Sequence, residues 1–310
     1  MNFLLIIGGL VFLILGGNWL LKAAVAISLK LKIPKFVIGM TVVSFATSAP
    51  ELIVSINAAL SGKADLALGN VIGSNIANLG LVLGITLLLG KMEVQKSFYK
   101  TDWPVMVVAS LLLYFFLSGD HVIEQYEGII LFALLIIFLV YLLRFQKTSD
   151  AEEVLEDDAS LTVLKIVLFF VLGGLGLWGG SELLISGAIS LAQEFGVSER
   201  IIGVTIVSIG TSVPELAASI IAILKKEKAI SLGNLIGSNI FNILAVLGIT
   251  AIITPVALTD LGLLTNDIFW MLGVSFLVLP LVFIPKRYVL NYKDGIVLLA
   301  AYVAFIYATI

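Results

Sequence analysis

Residues 39–85 read GMTVVSFATSAPELIVSINAALSGKADLALGNVIGSNIANLGLVLGI, and residues 203–249 read GVTIVSIGTSVPELAASIIAILKKEKAISLGNLIGSNIFNILAVLGI. A constant shift of 164 superimposes the two stretches without a gap, and 26 of the 47 positions are identical. The identities include every polar residue of T-S-x-P-E and of G-N-x-I-G-S-N-x-x-N. The rest of both stretches is strongly apolar. Polar side chains kept at matching places in such a background require a role that apolar residues cannot fill.

The whole chain is apolar too. Of its 310 residues 60% are hydrophobic and 13% charged, whereas a soluble domain carries roughly a quarter charged residues. Backbone polar groups in hydrocarbon must be satisfied internally, so the spans are helices or closed barrels. The apolar runs are long and do not alternate strictly, which selects helices. The chain is therefore expected to be an all-α polytopic membrane protein. It has no Cys, and its one His is His121 in a short polar loop. Disulfides and thiolate metal sites are excluded and a soft-metal centre is not expected, whereas oxygen donors for hard cations are plentiful. Nothing in the composition points to nucleic acid. The expected partners are the lipid bilayer and inorganic cations, with no cofactor.

About 20 apolar residues cross a bilayer. Ten spans are expected, at 3–29, 35–60, 66–90, 103–118, 124–144, 162–192, 199–224, 229–254, 266–285 and 290–309, the first and sixth being longest. MNFLLIIGGLVFLILGG lacks a basic leader and a clear cleavage site, and reads as the first span. The spans divide into a five-helix repeat at 1–145, an acidic cytoplasmic linker at 146–160 and a second five-helix repeat at 161–310. An odd number of spans per repeat inverts the second relative to the first, a common transporter design. Lys and Arg set the orientation. Lys30, Lys32, Lys35, Lys91, Lys96, Lys100, Arg144, Lys147, Lys225, Lys226, Lys228, Lys286, Arg287 and Lys293 fall in the odd-numbered loops, against Lys63 and Arg200 in the even ones. The odd loops are expected to be cytoplasmic and both termini extracytoplasmic. Lys22 and Lys165 snorkel at span ends.

Treated as a helix, Ser44, Thr47, Ser48, Glu51 and Ser55 share one face, and so do Asn70, Ser74 and Asn78 on the next span. The second copy repeats the stripes with Ser208, Thr211, Ser212, Glu215 and Ser219, then Asn234, Ser238 and Asn242. Asn57 has no polar counterpart, since Ile221 occupies that place. If the copies pack about a pseudo-two-fold axis, the stripes converge on one set of oxygen donors with two carboxylates, which suits Ca²⁺. Pro50 and Pro214 each remove a backbone N–H and release the carbonyl four residues earlier, at Ala46 and Gly210. A carboxylate inside a span costs a few kcal/mol even on lenient scales, so Glu51 and Glu215 are the strongest functional candidates. Gly69, Gly73, Gly233 and Gly237 are expected at close helix contacts.

At these residues the chain resembles the cation/calcium exchanger superfamily: TSAPE with GNVIGSNIAN, and TSVPE with GNLIGSNIFN, are similar to its α-repeats. The form is nearer the sodium/calcium exchangers than the Ca²⁺/H⁺ branch. The resemblance implies a secondary active Ca²⁺/Na⁺ antiporter working by alternating access, and not an enzyme. It implies that Glu51, Glu215, Thr47 and Thr211 ligate Ca²⁺, that Ser48, Ser74, Ser212 and Ser238 complete Na⁺ sites, and that Asn78 and Asn242 border the centre. It also implies that the two long helices slide against the rest, aided by the Gly pairs at 16–17, 173–174 and 179–180. Many members carry Asp at one of the positions of Asn78 and Asn242; in the K⁺-dependent branch an Asp at the position of Asn242 is associated with K⁺ transport, and Asn there argues against K⁺ co-transport. A short linker leaves no room for a Ca²⁺-sensing domain. The expected setting is the plasma or inner membrane, with a functional monomer. Ca²⁺/H⁺ or other cation/proton exchange on the same Glu pair is the alternative. A channel and an intramembrane hydrolase fit the interrupted, His-free spans less well.

Overall fold

The computed structural model describes residues 2–145, 161–194, 208–284 and 287–309. The linker at 146–160, residues 199–207 of the expected seventh span, Lys147, Arg200 and Lys286 lie outside the described residues. Among the described residues the fold is all-helical but for four two-residue strands. The helices are α1 (Asn2–Leu31), α2 (Lys35–Thr47), α3 (Ala49–Leu60), α4 (Ala64–Leu89), α5 (Phe98–Gly119), α6 (Gln125–Phe145), α7 (Val163–Glu194), α8 (Ser208–Gly210), α9 (Val213–Leu224), α10 (Lys228–Ile253), α11 (Leu263–Phe283) and α12 (Tyr292–Thr309). Among the described residues eight helices are long and apolar enough to cross a membrane, or nine with α2 and α3 counted as one broken span. The longest are α1, with 30 residues, and α7, with 32.

Two helices start earlier than their hydropathy suggests. α5 opens on Phe98–Asp102 and α11 on Leu263–Asp267, both π-helical. The π turn carries the polar FYKTD and LLTND segments into the helix, although neither looks like a membrane span. α6 and α12 start with a shared device. Glu127 accepts the Glu124 N–H at 2.9 Å, and Asp294 accepts the Asn291 N–H at 2.8 Å. Each carboxylate reaches back three residues to a donor that the helix leaves unsatisfied.

The chain forms two compact units, each drawing on both copies of the doubled stretch. The first comprises the residues up to Thr47 and Tyr141–Asn234; the second comprises Ser48–Val140 and the residues from Leu235 onward. In the first unit α1 and α7 pack antiparallel with their backbones in contact. A Cβ on Gly16 would lie 2.6 Å from the Leu177 nitrogen, one on Gly173 2.6 Å from the Leu20 nitrogen, and one on Gly180 2.8 Å from the Leu13 nitrogen. Small residues allow this approach, and in lipid the resulting contact holds helices together. The expected glycine pairs therefore contribute one member each to the seam: Gly17 faces Ile221 instead, and Gly174 and Gly179 stand clear of α1. Leu20, Ala24, Leu177, Ala218 and Ala222 form the buried core of this unit.

In the second unit α12 packs on α4, with Gly84 against Gly295, and α6 packs on α10, with Gly128 against Gly248. Strands β1 (Met92–Glu93) and β4 (Val289–Leu290) pair antiparallel, as do β2 (Val122–Ile123) and β3 (Val256–Ala257). Large apolar side chains such as Phe3, Leu4, Ile7, Phe115, Ile137 and Val303 remain exposed. In a soluble protein that pattern would be a liability; on these helices it is the surface that meets lipid.

Candidate cation site

The doubled T-S-x-P-E segment does not continue one helix in either copy. α2 ends at Thr47 and α3 starts at Ala49, with Ser48 at φ −86°, ψ 1°. The second copy breaks in the same way at Ser212, φ −89°, ψ 2°. The stripe expected on a single helical face is thus divided, and Glu51 and Glu215 stand in the first turn of a new helix. The cause is Pro50 and Pro214, tolerated at the start of a helix and unfavourable inside one. An N-cap serine ordinarily accepts a backbone N–H with its hydroxyl. Ser48 and Ser212 make no such bond, and their Oγ atoms are buried without a hydrogen-bond partner. Both hydroxyls are therefore available to a ligand.

Of the two carbonyls released by proline, one already has a donor. Ser181 Oγ donates to the Gly210 carbonyl at 2.9 Å. The expectation of a free Gly210 oxygen is corrected by this bond, which pins α7 to the broken segment. Ala at position 210 would require the Ile185 side chain to shift, because its Cβ would lie 2.5 Å from Ile185 Cδ1.

In the first unit a Cβ on Gly233 would collide with the Phe36 carbonyl oxygen, and one on Gly39 with that of Ile230. The contact brings α2 onto α10. Ser44 Oγ reaches the Asn234 carbonyl at 2.9 Å, and Thr47 Oγ1 donates to Asn234 Oδ1 at 3.2 Å. Asn234 Nδ2 donates to Ser219 Oγ at 3.5 Å, one turn beyond Glu215. Thr47, Asn234, Ser219 and Glu215 thus belong to one buried group, with Thr211 half-buried beside it. Of the four glycines expected at close contacts Gly233 makes one, whereas Gly69 and Gly73 make none among the described residues.

In the second unit Asn70 Nδ2 donates to Ser55 Oγ at 3.1 Å and to the Glu51 carbonyl at 3.4 Å. This is the counterpart of the Asn234–Ser219 bond. α3 also packs against Asn242–Leu247 of α10. Glu51, Asn78 and Asn242 are fully buried, and Ser74 and Ser238 are covered to within 1%. Asn78 and Asn242 each begin a π-helical stretch, Asn78–Val82 and Asn242–Leu247. π turns recur at functional sites because they rotate side chains out of helical register. Both polar atoms of Asn78, and Oδ1 of Asn242, lack hydrogen-bond partners.

Two further residues of the motif escaped the stripe argument. Asn75 and Asn239, equivalent under the shift of 164, each lie 1% exposed and bond across α4 and α10. Their identity in both copies was the available signal. A carboxylate outside the doubled stretch, Glu182, is exposed on α7 beside an apolar groove of Phe12, Trp19 and Leu175.

Each unit therefore contains one buried carboxylate at a helix break, accompanied by neutral oxygen donors. Buried carboxylates with hydroxyl and carboxamide oxygens around them offer ligation to a hard cation, the equipment of an integral-membrane cation transporter. The chain belongs to the sodium/calcium exchanger family. The model of the sodium/calcium exchanger protein family matches residues 1–144 and 165–310. The chain is 39% identical to the putative antiporter CaxA of Alkalimonas amylolytica, over 96% of this chain and 95% of the relative. It is 30% identical to the sodium/calcium exchanger MaX1 of Methanosarcina acetivorans, over 98% and 97%. The solved structure of the sodium-calcium exchanger NCX_Mj, soaked with zero Na⁺ and Ca²⁺, superimposes with a TM-score of 0.84 at 26% identity, covering 99% of this chain and 98% of that one. The chain is thus a multi-pass membrane transporter of the cation/calcium exchange class, and not an enzyme.

Proposed function

We propose that the protein exports Ca²⁺ in exchange for Na⁺ by alternating access. The observation that carries this reading is the repeated break: a buried glutamate three residues after a buried N-cap serine whose hydroxyl has no partner, at equivalent positions of both copies. Glu51 and Glu215, with oxygens of Thr47 and Thr211, ligate Ca²⁺. Ser48, Ser212, Ser74 and Ser238 contribute to Na⁺ binding, and Asn78 and Asn242 border the ions. The paired equivalence of these residues supports the assignment, as does the name sodium/calcium exchanger borne by MaX1.

Two ionised glutamates neutralise one Ca²⁺. Replacement by two Na⁺ keeps the sum unchanged, and replacement by three leaves one positive charge to cross the field. Each such charge is worth about 2.3 kcal/mol per 100 mV. A three-for-one exchange is then driven by voltage as well as by Na⁺. The proposed topology is ten spans in two inverted repeats, 1–145 and 161–310, with the linker cytoplasmic and both termini outside. The protein works as a monomer in the cell membrane.

The test is ⁴⁵Ca²⁺ uptake into Na⁺-loaded proteoliposomes. Glu51→Gln and Glu215→Gln should each abolish uptake while the purified protein stays monodisperse. Unchanged uptake in either variant sinks the assignment of that carboxylate.

A further inference from the structure

Asn75 and Asn239 form a reciprocal clasp within the second unit. Asn75 Nδ2 donates to the Asn239 carbonyl at 3.2 Å, and Asn239 Nδ2 donates to the Asn75 carbonyl at 3.1 Å. A backbone carbonyl can only accept, so the orientation of each amide is fixed by chemistry. Asn75 Nδ2 also lies 3.7 Å from Met271 Sδ, another acceptor. With its nitrogen held on that side, Asn75 presents Oδ1 on the other, where Asn242 Nδ2 donates to it at 3.1 Å. Asn242 in turn has its nitrogen occupied and its Oδ1 left over, buried and without a partner.

We infer that Asn75 is a positioning residue. It passes the polarity of the Asn239 carbonyl on to Asn242, so that Asn242 offers an oxygen rather than an N–H to a cation. The inference rests on the reading that Asn242 borders the ion site. An amide free to rotate would present donor or acceptor alike, and the donor repels a cation. The relay also bears on residue choice at position 242. Asn75 Oδ1 demands a donor there, which a carboxamide has and a carboxylate lacks. Asn at 242 is thereby matched to Asn75, and an ionised Asp at that place would face a carbonyl oxygen fixed toward it.

The mirror half of the arrangement is open. Asn239 Oδ1 corresponds to Asn75 Oδ1 and Asn78 to Asn242, yet Asn239 Oδ1 and both polar atoms of Asn78 lack hydrogen-bond partners. The relay therefore acts on one side of the clasp in this conformation. The side chain of Asn239 gives a natural control. Truncating it removes the return bond to Asn75 but leaves the Asn239 carbonyl, and so the relay, in place.

The test measures half-saturating Ca²⁺ for the purified full chain, by Ca²⁺-induced thermal stabilisation in detergent and by ⁴⁵Ca²⁺ uptake in Na⁺-loaded proteoliposomes. Groups that orient a metal's ligands typically contribute about 10–100-fold to affinity. Asn75→Ala and Asn242→Leu should each raise half-saturating Ca²⁺ about 10-fold or more, and the double variant should be no worse than Asn242→Leu alone. Asn239→Ala should lower the melting temperature and leave half-saturating Ca²⁺ within about twofold of the parent. Asn75→Leu, which fills the amide's volume, replaces Asn75→Ala if the smaller residue does not fold. An effect of Asn242→Leu with none of Asn75→Ala overturns the relay and leaves the site reading standing. Multiplying effects in the double variant overturn it too, because Asn75 would then act independently of Asn242. Unchanged affinity in Asn242→Leu removes Asn242 from the site, and the relay falls with it.

Discussion

Ser181 Oγ donates to the carbonyl of Gly210 at 2.9 Å, closing the hydrogen-bond vacancy that Pro214 opens. Replacing Ser181 by Ala leaves a buried carbonyl unsatisfied, at a cost of about 1–3 kcal/mol. Thermal unfolding in detergent should show the loss, and Ser181→Thr, which keeps the hydroxyl, should recover part of it. A melting temperature unmoved by Ser181→Ala would mean that water replaces the hydroxyl at this carbonyl.

Gly233 lies against the Phe36 backbone so closely that a methyl group cannot be accommodated without parting α2 from α10. Overpacking against backbone typically costs about 1–3 kcal/mol. Because Ser44 and Thr47 reach Asn234 through the same contact, Gly233→Ala should lower both stability and transport. The check is a paired measurement of melting temperature and uptake; a stable variant with full uptake would contradict the role given to this contact.

Lys35 and Glu227 approach to 3.0 Å, with each side chain 19% exposed. Accessible pairs of this kind contribute about 1 kcal/mol or less and are screened by salt. Lys35→Met should therefore lower stability only slightly, and the difference should shrink at high ionic strength. A large, salt-independent loss would show that Lys35 holds more than this pair.

Much of this was legible in the chain itself. The break in each copy could be read from T-S-x-P-E, since proline is unfavourable inside a helix and favoured at its start, and the buried carboxylates followed from their placement in a span. The close approach of α1 and α7 was foreshadowed by the glycines, although only one of each pair faces the seam. Other features depend on partners distant in sequence. No pattern around Gly210 says that Ser181, 29 positions earlier, takes its carbonyl. The clasp of Asn75 with Asn239 requires knowing that α4 and α10 meet at those two residues. The π turns at Asn78 and Asn242 insert one residue without leaving a compositional mark. For the same reason, the polar starts of α5 and α11 at Phe98 and Leu263 fell outside the expected spans.

Protons should compete with Ca²⁺. A divalent ion needs both glutamates ionised to neutralise its charge, and protonation of either removes one negative charge. At low fixed Ca²⁺, uptake should fall as pH is lowered, and higher Ca²⁺ should restore it. Uptake measured against Ca²⁺ at two pH values separates this from damage to the protein: a loss that saturating Ca²⁺ does not reverse would contradict competition at the carboxylates.

The central claim is that Na⁺ drives Ca²⁺ through this chain. The most direct measurement is ⁴⁵Ca²⁺ uptake by proteoliposomes containing the purified protein, with Na⁺, H⁺ and K⁺ gradients imposed one at a time. The account predicts uptake with an outward Na⁺ gradient, no requirement for K⁺, and none of that uptake in Glu51→Gln or Glu215→Gln. Uptake driven by a pH gradient in the complete absence of Na⁺ would contradict it and make the protein a Ca²⁺/H⁺ exchanger.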